Sequence, residues 1–423
     1  MKTHLKVIFV NEIPPDNNQI AAFRMRELAN AMARQGHQII LLTTENNKDD
    51  ITDYSTINFL IAQHDWLVPL GIRSGRNKSF WLKKLRSGKL PKLLSKALVF
   101  FYYLFSYGVV RDWQQGAKPF LKSLAKNFSP DIVIGTFGNT DCLMITRQIA
   151  LYAKAPFVID LKDAWCNFIP FLFQGYCARR FQDAAMITAL SKFYMKDAET
   201  WFAFIPRRVI YSGFSEKLLE NVNKSNILSP QTFKIFLVGS HYNRTHLRIL
   251  LNGIQLWAEK INNPKINVEL HYVGRDQAVI ETEFLPLKNL LTINHGQLAF
   301  EDYVRLLQQA NVLCYIHLDA TFHHKSTELL AFQKPIICVP HEHEEAILLA
   351  NQANIDLFQC EDINAVMKAL QQCFLTHSQQ NANKAFLNQL TWDAQARQLA
   401  EYFIQILSNQ TMPIEKAACQ RPT

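Results

Sequence analysis

Short, continuously apolar runs alternate with amphipathic stretches along most of this chain. KVIFV (Lys6–Val10) is followed by turn-forming residues from Asn11 to Gln19, then by a helical stripe of Ala21, Met25, Leu28, Ala29 and Met32 within 20–35. Gly36 stands where a helix-terminating glycine belongs, and QIILLT (Gln38–Thr43) reads as the next strand. DIVIG (Asp131–Gly135), FVIDL (Phe157–Leu161), AMITAL (Ala185–Leu190) and RRVIYSGF (Arg207–Phe214) continue the series. Strands apolar along their whole length, separated by helices, predict a parallel sheet covered on both faces.

A polar stretch, 215–233, then interrupts the pattern, and the alternation restarts. KIFLVG (Lys234–Gly239), VELHYVG (Val268–Gly274), LLTINHG (Leu290–Gly296), VLCYIH (Val312–His317) and PIICVP (Pro335–Pro340) read as strands, with helices expected at 247–261, 301–310 and 326–333. The expected organisation is α/β: two Rossmann-like, doubly wound parallel-sheet domains, 1–214 and 234–391, joined by the linker 215–233. A helix at 392–409 is expected to pack back toward the first domain, before a loose tail, 410–423. Open α/β sheets bind ligands beyond the carboxyl ends of their strands, so two facing sheets would share an interdomain cleft.

Composition changes this picture in one place. The chain has 423 residues and a net charge of +9. Thirteen Lys or Arg and a single acid, Asp112, lie between Ile72 and Lys126, so this stretch carries 13 − 1 = +12 and the remainder about −3. The same stretch holds the apolar run from Ala97 to Val110, which is shorter than the ~20 residues a bilayer requires. Basic residues beside aromatic and aliphatic ones predict a basic, apolar insertion, 72–126, lying on an anionic membrane surface. The alternative is a buried helix between solvated basic turns. No nucleic-acid recognition motif accompanies the charge. Eight cysteines without a C-x-x-C pair, several of them inside apolar runs, read as free thiols of a cytoplasmic protein. The N-terminus reads as a first strand and lacks a signal-peptide pattern.

Candidate chemistry concentrates in HHKSTELLAFQKPIICVP (His323–Pro340). A helix beginning near Lys325, Ser326 and Thr327 would present unpaired N–H groups to a diphosphate. Lys325 would add a charge where a leaving nucleotide becomes negative, and Glu328 could accept from a ribose diol. The bland alternative is a capped surface helix with a solvated Glu.

This segment resembles the C-terminal signature of glycosyltransferase family 4, a group of nucleotide-sugar-dependent enzymes. Four other stretches resemble the same family in the same order: Asn11–Leu28 with Pro14, Pro15 and Arg24; FVIDLKDAW (Phe157–Trp165); VIYSGF (Val209–Phe214); and Ile235–Ile254 with Gly239, Ser240 and Arg244. The resemblance implies a GT-B fold and a metal-independent, generally retaining transfer. It also implies donor contacts from Asn17, Asn18, Gly239, Ser240, Arg244, Lys325, Ser326, Thr327 and Glu328, with His295 and Gly296 lining the base pocket. Asp163, Arg244 and Lys325 would serve catalysis, and Thr136, Asn139 and Asp163 would face the acceptor, a glycan or lipid-linked glycan of surface polysaccharide assembly.

There are two departures from the family pattern: Asn17-Asn18 replaces a glycine pair, and Ala320 replaces a second Glu. The departures keep open a non-catalytic scaffold that binds nucleotide or membrane, and the fold class keeps open a sugar-nucleotide epimerase. The histidines at 323–324, 341 and 343 read as solvated loop residues rather than metal ligands. The chain has no D-x-D, no P-loop and no G-x-S-x-G, and the absence of G-x-G-x-x-G argues against a dinucleotide dehydrogenase.

Overall fold

The computed structural model describes residues 4–17, 19–222, 231–241, 243–261, 266–288, 290–317, 321–376 and 381–411. The chain divides into two compact units. One contains the residues up to Tyr211 together with those from Asp393 onward; the other is Ser212–Trp392.

The first unit holds seven strands: β1 (Lys6–Val10), β2 (Gln38–Thr44), β3 (Leu70–Ser74), β4 (Ile132–Phe137), β5 (Phe157–Leu161), β6 (Met186–Ala189) and β7 (Arg207–Val209). They form one sheet in the order β3-β2-β1-β4-β5-β6-β7. Every neighbour is parallel. The second unit holds β8 (Thr232–Val238), β9 (Asn267–Val273), β10 (Leu291–Asn294), β11 (Val312–Ile316), β12 (Ile336–Val339) and β13 (Leu357–Gln359). These follow the order β10-β9-β8-β11-β12-β13, again all parallel.

Each central strand is buried on both faces. Val7, Ile8 and Val10 in β1, and Ile235 and Phe236 in β8, expose nothing to solvent, which is why these strands read as unbroken apolar runs. The sheets reverse strand order between β1 and β4 and between β8 and β11. The carboxyl ends at those switch points are where such sheets leave a crevice.

The helix Trp392–Thr411 belongs to the first unit from Asp393 onward. Arg34 pairs with Asp393 at 2.8 Å, and the Gln395 side chain accepts the Tyr211 N–H at 2.7 Å. Within the expected linker lies the helix Glu216–Val222, while 223–230 falls outside the described residues, as does the tail beyond Thr411. Two strands escaped the sequence pattern. β3 (LGIRS) breaks its apolar run with Gly and Arg, and β13 has only three residues.

The basic insertion expected over 72–126 is not one body. Ile72 and Ser74 lie in β3, buried within the sheet. The helix Arg111–Asn127 packs Trp113, Phe120, Leu121 and Leu124 into the core. Only the helices Phe80–Arg86 and Lys92–Ser106 stand outside that core for most of their length. By length and hydropathy Lys92–Asn127 could cross a bilayer, but it is two helices. They are parted where Tyr107 turns left-handed, at φ 64°. The Ala97–Val110 run therefore ends as helix at Ser106.

Cys142, Cys177, Cys314, Cys338, Cys360 and Cys373 are buried free thiols, and Cys166 is exposed. Cys419 lies outside the described residues.

Candidate functional site

In the second unit, three glycines form a floor at the carboxyl ends of β8, β9 and β10. Gly239 (φ 90°) donates its N–H to Val273 O at 2.8 Å, and Gly274 donates to Gly296 O at 3.0 Å. The Tyr272 hydroxyl donates to Gly239 O at 2.9 Å. Gly274 is there for space: a Cβ on it would stand 2.3 Å from the Gly239 carbonyl oxygen. Gly239 and Gly296 adopt left-handed φ values that a side chain disfavours.

Lys325 lies over this floor, its Cε 3.2 Å from where a Gly239 Cβ would be. Lys325 and Glu328 share one side of the short helix His324–Leu330. The Lys325 ammonium donates to Glu328 Oε2 at 2.9 Å. The Tyr303 hydroxyl, from the helix Phe300–Leu307, donates to Glu328 Oε1 at 2.9 Å. Burial raises the Glu328 carboxyl, but Lys325, His324 and the two hydrogen bonds outweigh it and hold the group below the ordinary carboxylate range. Among the described residues this ionised carboxylate accepts these two hydrogen bonds, and a carboxylate has further lone pairs for hydroxyl donors. Tyr303 was not legible from sequence as a partner, because the contact joins two separate helices.

The start of this helix is partly occupied. His323 Nδ1 accepts the Lys325 N–H at 3.1 Å, and His323 O accepts the Ser326 N–H at 3.0 Å. Ser326 and Thr327 are buried as whole residues, and the Ser326 hydroxyl donates to His323 O, so this structure does not present either of these predicted donor contacts at a surface. His323 is thus a helix cap rather than a solvated loop residue. Burial, with Lys325 alongside, lowers His324 to about 4. Glu342, between the other two histidines, is likewise buried: it accepts from the Tyr315 hydroxyl at 2.9 Å, and His317 Nε2 lies 3.0 Å away.

Arg244 opens the helix Arg244–Ile261 with an exposed side chain. It shares Glu283 (4.0 Å) with Arg248, which holds that carboxylate in two hydrogen bonds of 2.9 and 3.0 Å. Arg244 thus faces Glu283, whereas Lys325 pairs with Glu328. The Ser240 hydroxyl accepts from Arg275 Nε at 2.8 Å. His295, just past β10, ends a planar relay: Glu269 Oε2 accepts from His271 Nε2 at 2.9 Å, and His271 Nδ1 lies 2.9 Å from His295 Nε2. Burial keeps both rings below the ordinary histidine range, so His271 is neutral. It then gives its one proton to Glu269 and accepts at Nδ1. His295 must donate from Nε2, which leaves its own Nδ1 an acceptor.

In the first unit, the matching strand ends are filled by side chains. Glu12, after β1, accepts from Asn139 and pairs with Arg76. Arg76 lies 3.7 Å from Asp112, which accepts from Arg86 at 2.9 Å. Asn139 also caps the helix Thr140–Ala153 by accepting the Cys142 N–H at 2.9 Å. Thr136 is buried in β4. Asp163 pairs with Lys162, and Lys162 lies over Gly138, 3.5 Å from where its Cβ would be, so the loops carrying Asn139 and Asp163 adjoin. Arg24 is fully buried and grips Asp160 with two hydrogen bonds of 3.1 and 2.9 Å, which makes it a structural residue. Asn17 closes its own turn by accepting the Gln19 N–H at 3.0 Å. Asn18 and Ala320 lie outside the described residues.

The chain is similar in fold to a sucrose-phosphate synthase from Thermosynechococcus elongatus: TM-score 0.65, 14% identity, 96% of this chain and 100% of that one. The Anabaena protein HepE, crystallised with UDP and glucose, gives TM-score 0.54 at 13% identity over 96% and 98% of the chains. A putative UDP-N-acetylglucosamine 2-epimerase from Listeria monocytogenes gives 0.57 at 11% identity over 97% and 98%. No family model and no curated protein sequence matches. With the two parallel sheets, these likenesses establish the two-domain GT-B fold.

Proposed function

We propose that this protein is a glycosyltransferase that moves a sugar from a nucleotide-sugar donor onto a glycan or lipid-linked acceptor, with retention, in surface polysaccharide assembly. The reading is supported above all by one corner of the second unit, where Lys325 and the Tyr303-bound Glu328 lie over Gly239. Glu328 would take the donor ribose hydroxyls. Lys325 would turn from Glu328 to the diphosphate as negative charge grows on the leaving group, with Arg244 adding a second cation. Main chain at Gly239, Ser240, Ser326 and Thr327 would complete the donor contacts, and no metal would be required. His295 Nδ1, fixed as an acceptor, suits a base that offers a ring N–H, as uracil does. Asp163, Asn139 and Thr136 would face the acceptor, and the basic stretch 72–126 would hold the chain on the cytoplasmic face of an anionic membrane.

The epimerase reading shares the donor contacts but needs no acceptor. Incubation with UDP-sugars, with and without a glycan acceptor, separates the two. A transferase forms an α- or β-linked product only with acceptor, whereas an epimerase alters the UDP-sugar without it. Lys325→Ala should lower kcat far more than it raises the donor KM. Equal loss in binding and turnover would remove Lys325 from the leaving-group role. A scaffold would neither transfer nor hydrolyse any donor.

A further inference from the structure

The helix Lys92–Ser106 is built inside out. Leu93, Leu94, Phe100, Phe101, Leu104 and Phe105 all face solvent, Leu93 at 84% and Phe105 at 61% exposure. Tyr103 and Ser106 are its buried residues. The outward positions recur at helical spacing and make one apolar stripe, the reverse of a helix packed on a soluble core. A second segment extends the same surface. Phe173 packs against Phe100 at 5.1 Å and Tyr103 at 5.4 Å, and the Tyr103 hydroxyl donates to Phe168 O at 3.3 Å. This positions Phe168, Phe171 and Leu172, exposed by 48%, 83% and 74%, beside the stripe.

The charges around it have one sign. No acid occurs between Asp65 and Asp112, or between Asp163 and Asp183. Lys92 and Lys96 are exposed on the same helix, Lys83 and Lys89 are exposed just before it in the chain, and Lys84 sits over the Phe80 ring at 4.4 Å. A second copy of this chain would bring cations against cations, whereas an anionic leaflet offers hydrocarbon for the rings and phosphates for the lysines. At 15 residues the helix is about 22 Å long, too short to cross the ~30 Å hydrocarbon core.

We infer that the outward face of Lys92–Ser106 and the Phe168–Leu172 segment together form one insertion surface, lying in the plane of an anionic phospholipid leaflet. This rests on, and deepens, the membrane part of the proposed function. The surface is fastened to the acceptor-side strand ends. Thr140 donates to Tyr107 O, Asp141 Oδ2 accepts the Val110 N–H at 2.8 Å, and Asp141 Oδ1 accepts from Gln114 at 2.6 Å. Thr140 and Asp141 directly follow Asn139, so an amphiphilic acceptor anchored in the leaflet would present its hydroxyl end beside Asn139 and Glu12.

The test is co-sedimentation of the full chain with phosphatidylcholine vesicles, with and without phosphatidylglycerol. The parent should pellet only with the anionic vesicles. Phe101→Asp/Phe105→Asp and, independently, Phe171→Ser/Leu172→Ser should each weaken binding about tenfold or more. Unchanged far-UV circular dichroism and Tm would show that the variants fold. A parent that stays in the supernatant, a Phe171→Ser/Leu172→Ser variant that binds like the parent, or a dimer dispersed by Phe101→Asp would each overturn the inference. UDP affinity in the same preparations reports on the nucleotide reading separately, because these residues lie in the other unit.

Discussion

At the carboxyl end of the first sheet, Glu12, Asn139, Arg76 and Asp112 meet one another side chain to side chain, and Arg24 locks Asp160 beneath them. At the carboxyl end of the second sheet the strand ends carry Gly239, Gly274 and Gly296, and Lys325, which lies against Gly239, is held by a carboxylate on its own helix. One rim spends its polar groups on internal pairing. The other has glycines at its strand ends, Gly239 and Gly274 partly exposed, with the Lys325–Glu328 pair beside them. Bare main chain lets a ligand approach closely, and a cation on a flexible stem can change partner without moving the backbone. On the proposed reading the second rim would take the nucleotide and the first, lined by paired side chains, would face the acceptor.

Removing a partner from each rim sharpens the contrast. Arg24→Leu leaves the Asp160 carboxylate buried without its cation, so chemical denaturation should show a loss of about 3–5 kcal/mol. A loss below about 1 kcal/mol would mean the pair is not what holds the first rim rigid. Gly274→Ala should destabilise by about 1–3 kcal/mol, because the added methyl must push the Gly239 carbonyl aside. It should also abolish UDP binding, while the same change at solvent-facing Gly71, which has open space, should leave UDP binding unchanged.

The smallest effect is in pH dependence. His324 titrates at about 4 when folded and near 6.5 when unfolded, so its contribution is complete above pH 6.5 and is lost progressively as pH falls toward 4. Near pH 5 the loss should reach about 1–2 kcal/mol, and His324→Gln should flatten the Tm-versus-pH curve between pH 7 and 5. An unchanged curve would mean that His324 is not buried against Lys325.

Most of the fold was legible because central parallel strands are apolar along their whole length: β1 and β5 coincide with the runs read from the sequence, and β11 ends one residue short of its run. β3 was not, because an edge strand of Leu, Gly, Ile, Arg and Ser loses the apolar signal. The basic stretch misled by addition: summed charge hid the fact that Ile72 and Trp113 are core residues on either side of two outward helices. At the candidate site, local pattern indicated Lys325 and Glu328, which share one helix. Their partners were beyond its reach. Tyr303 arrives from another helix, and Glu12 sits in a stretch that reads only as turn. Phe171 and Leu172 likewise gain meaning only once Phe173 docks on the helix Lys92–Ser106.

The assignment of the second rim is tested most directly by titrating UDP into the parent and Glu328→Ala proteins in a calorimeter. The account predicts one UDP site, with affinity weakened by about 1–3 kcal/mol in Glu328→Ala, the worth of charged hydrogen bonds to the ribose. Equal affinity in the two proteins, or no UDP binding by the parent, would contradict it.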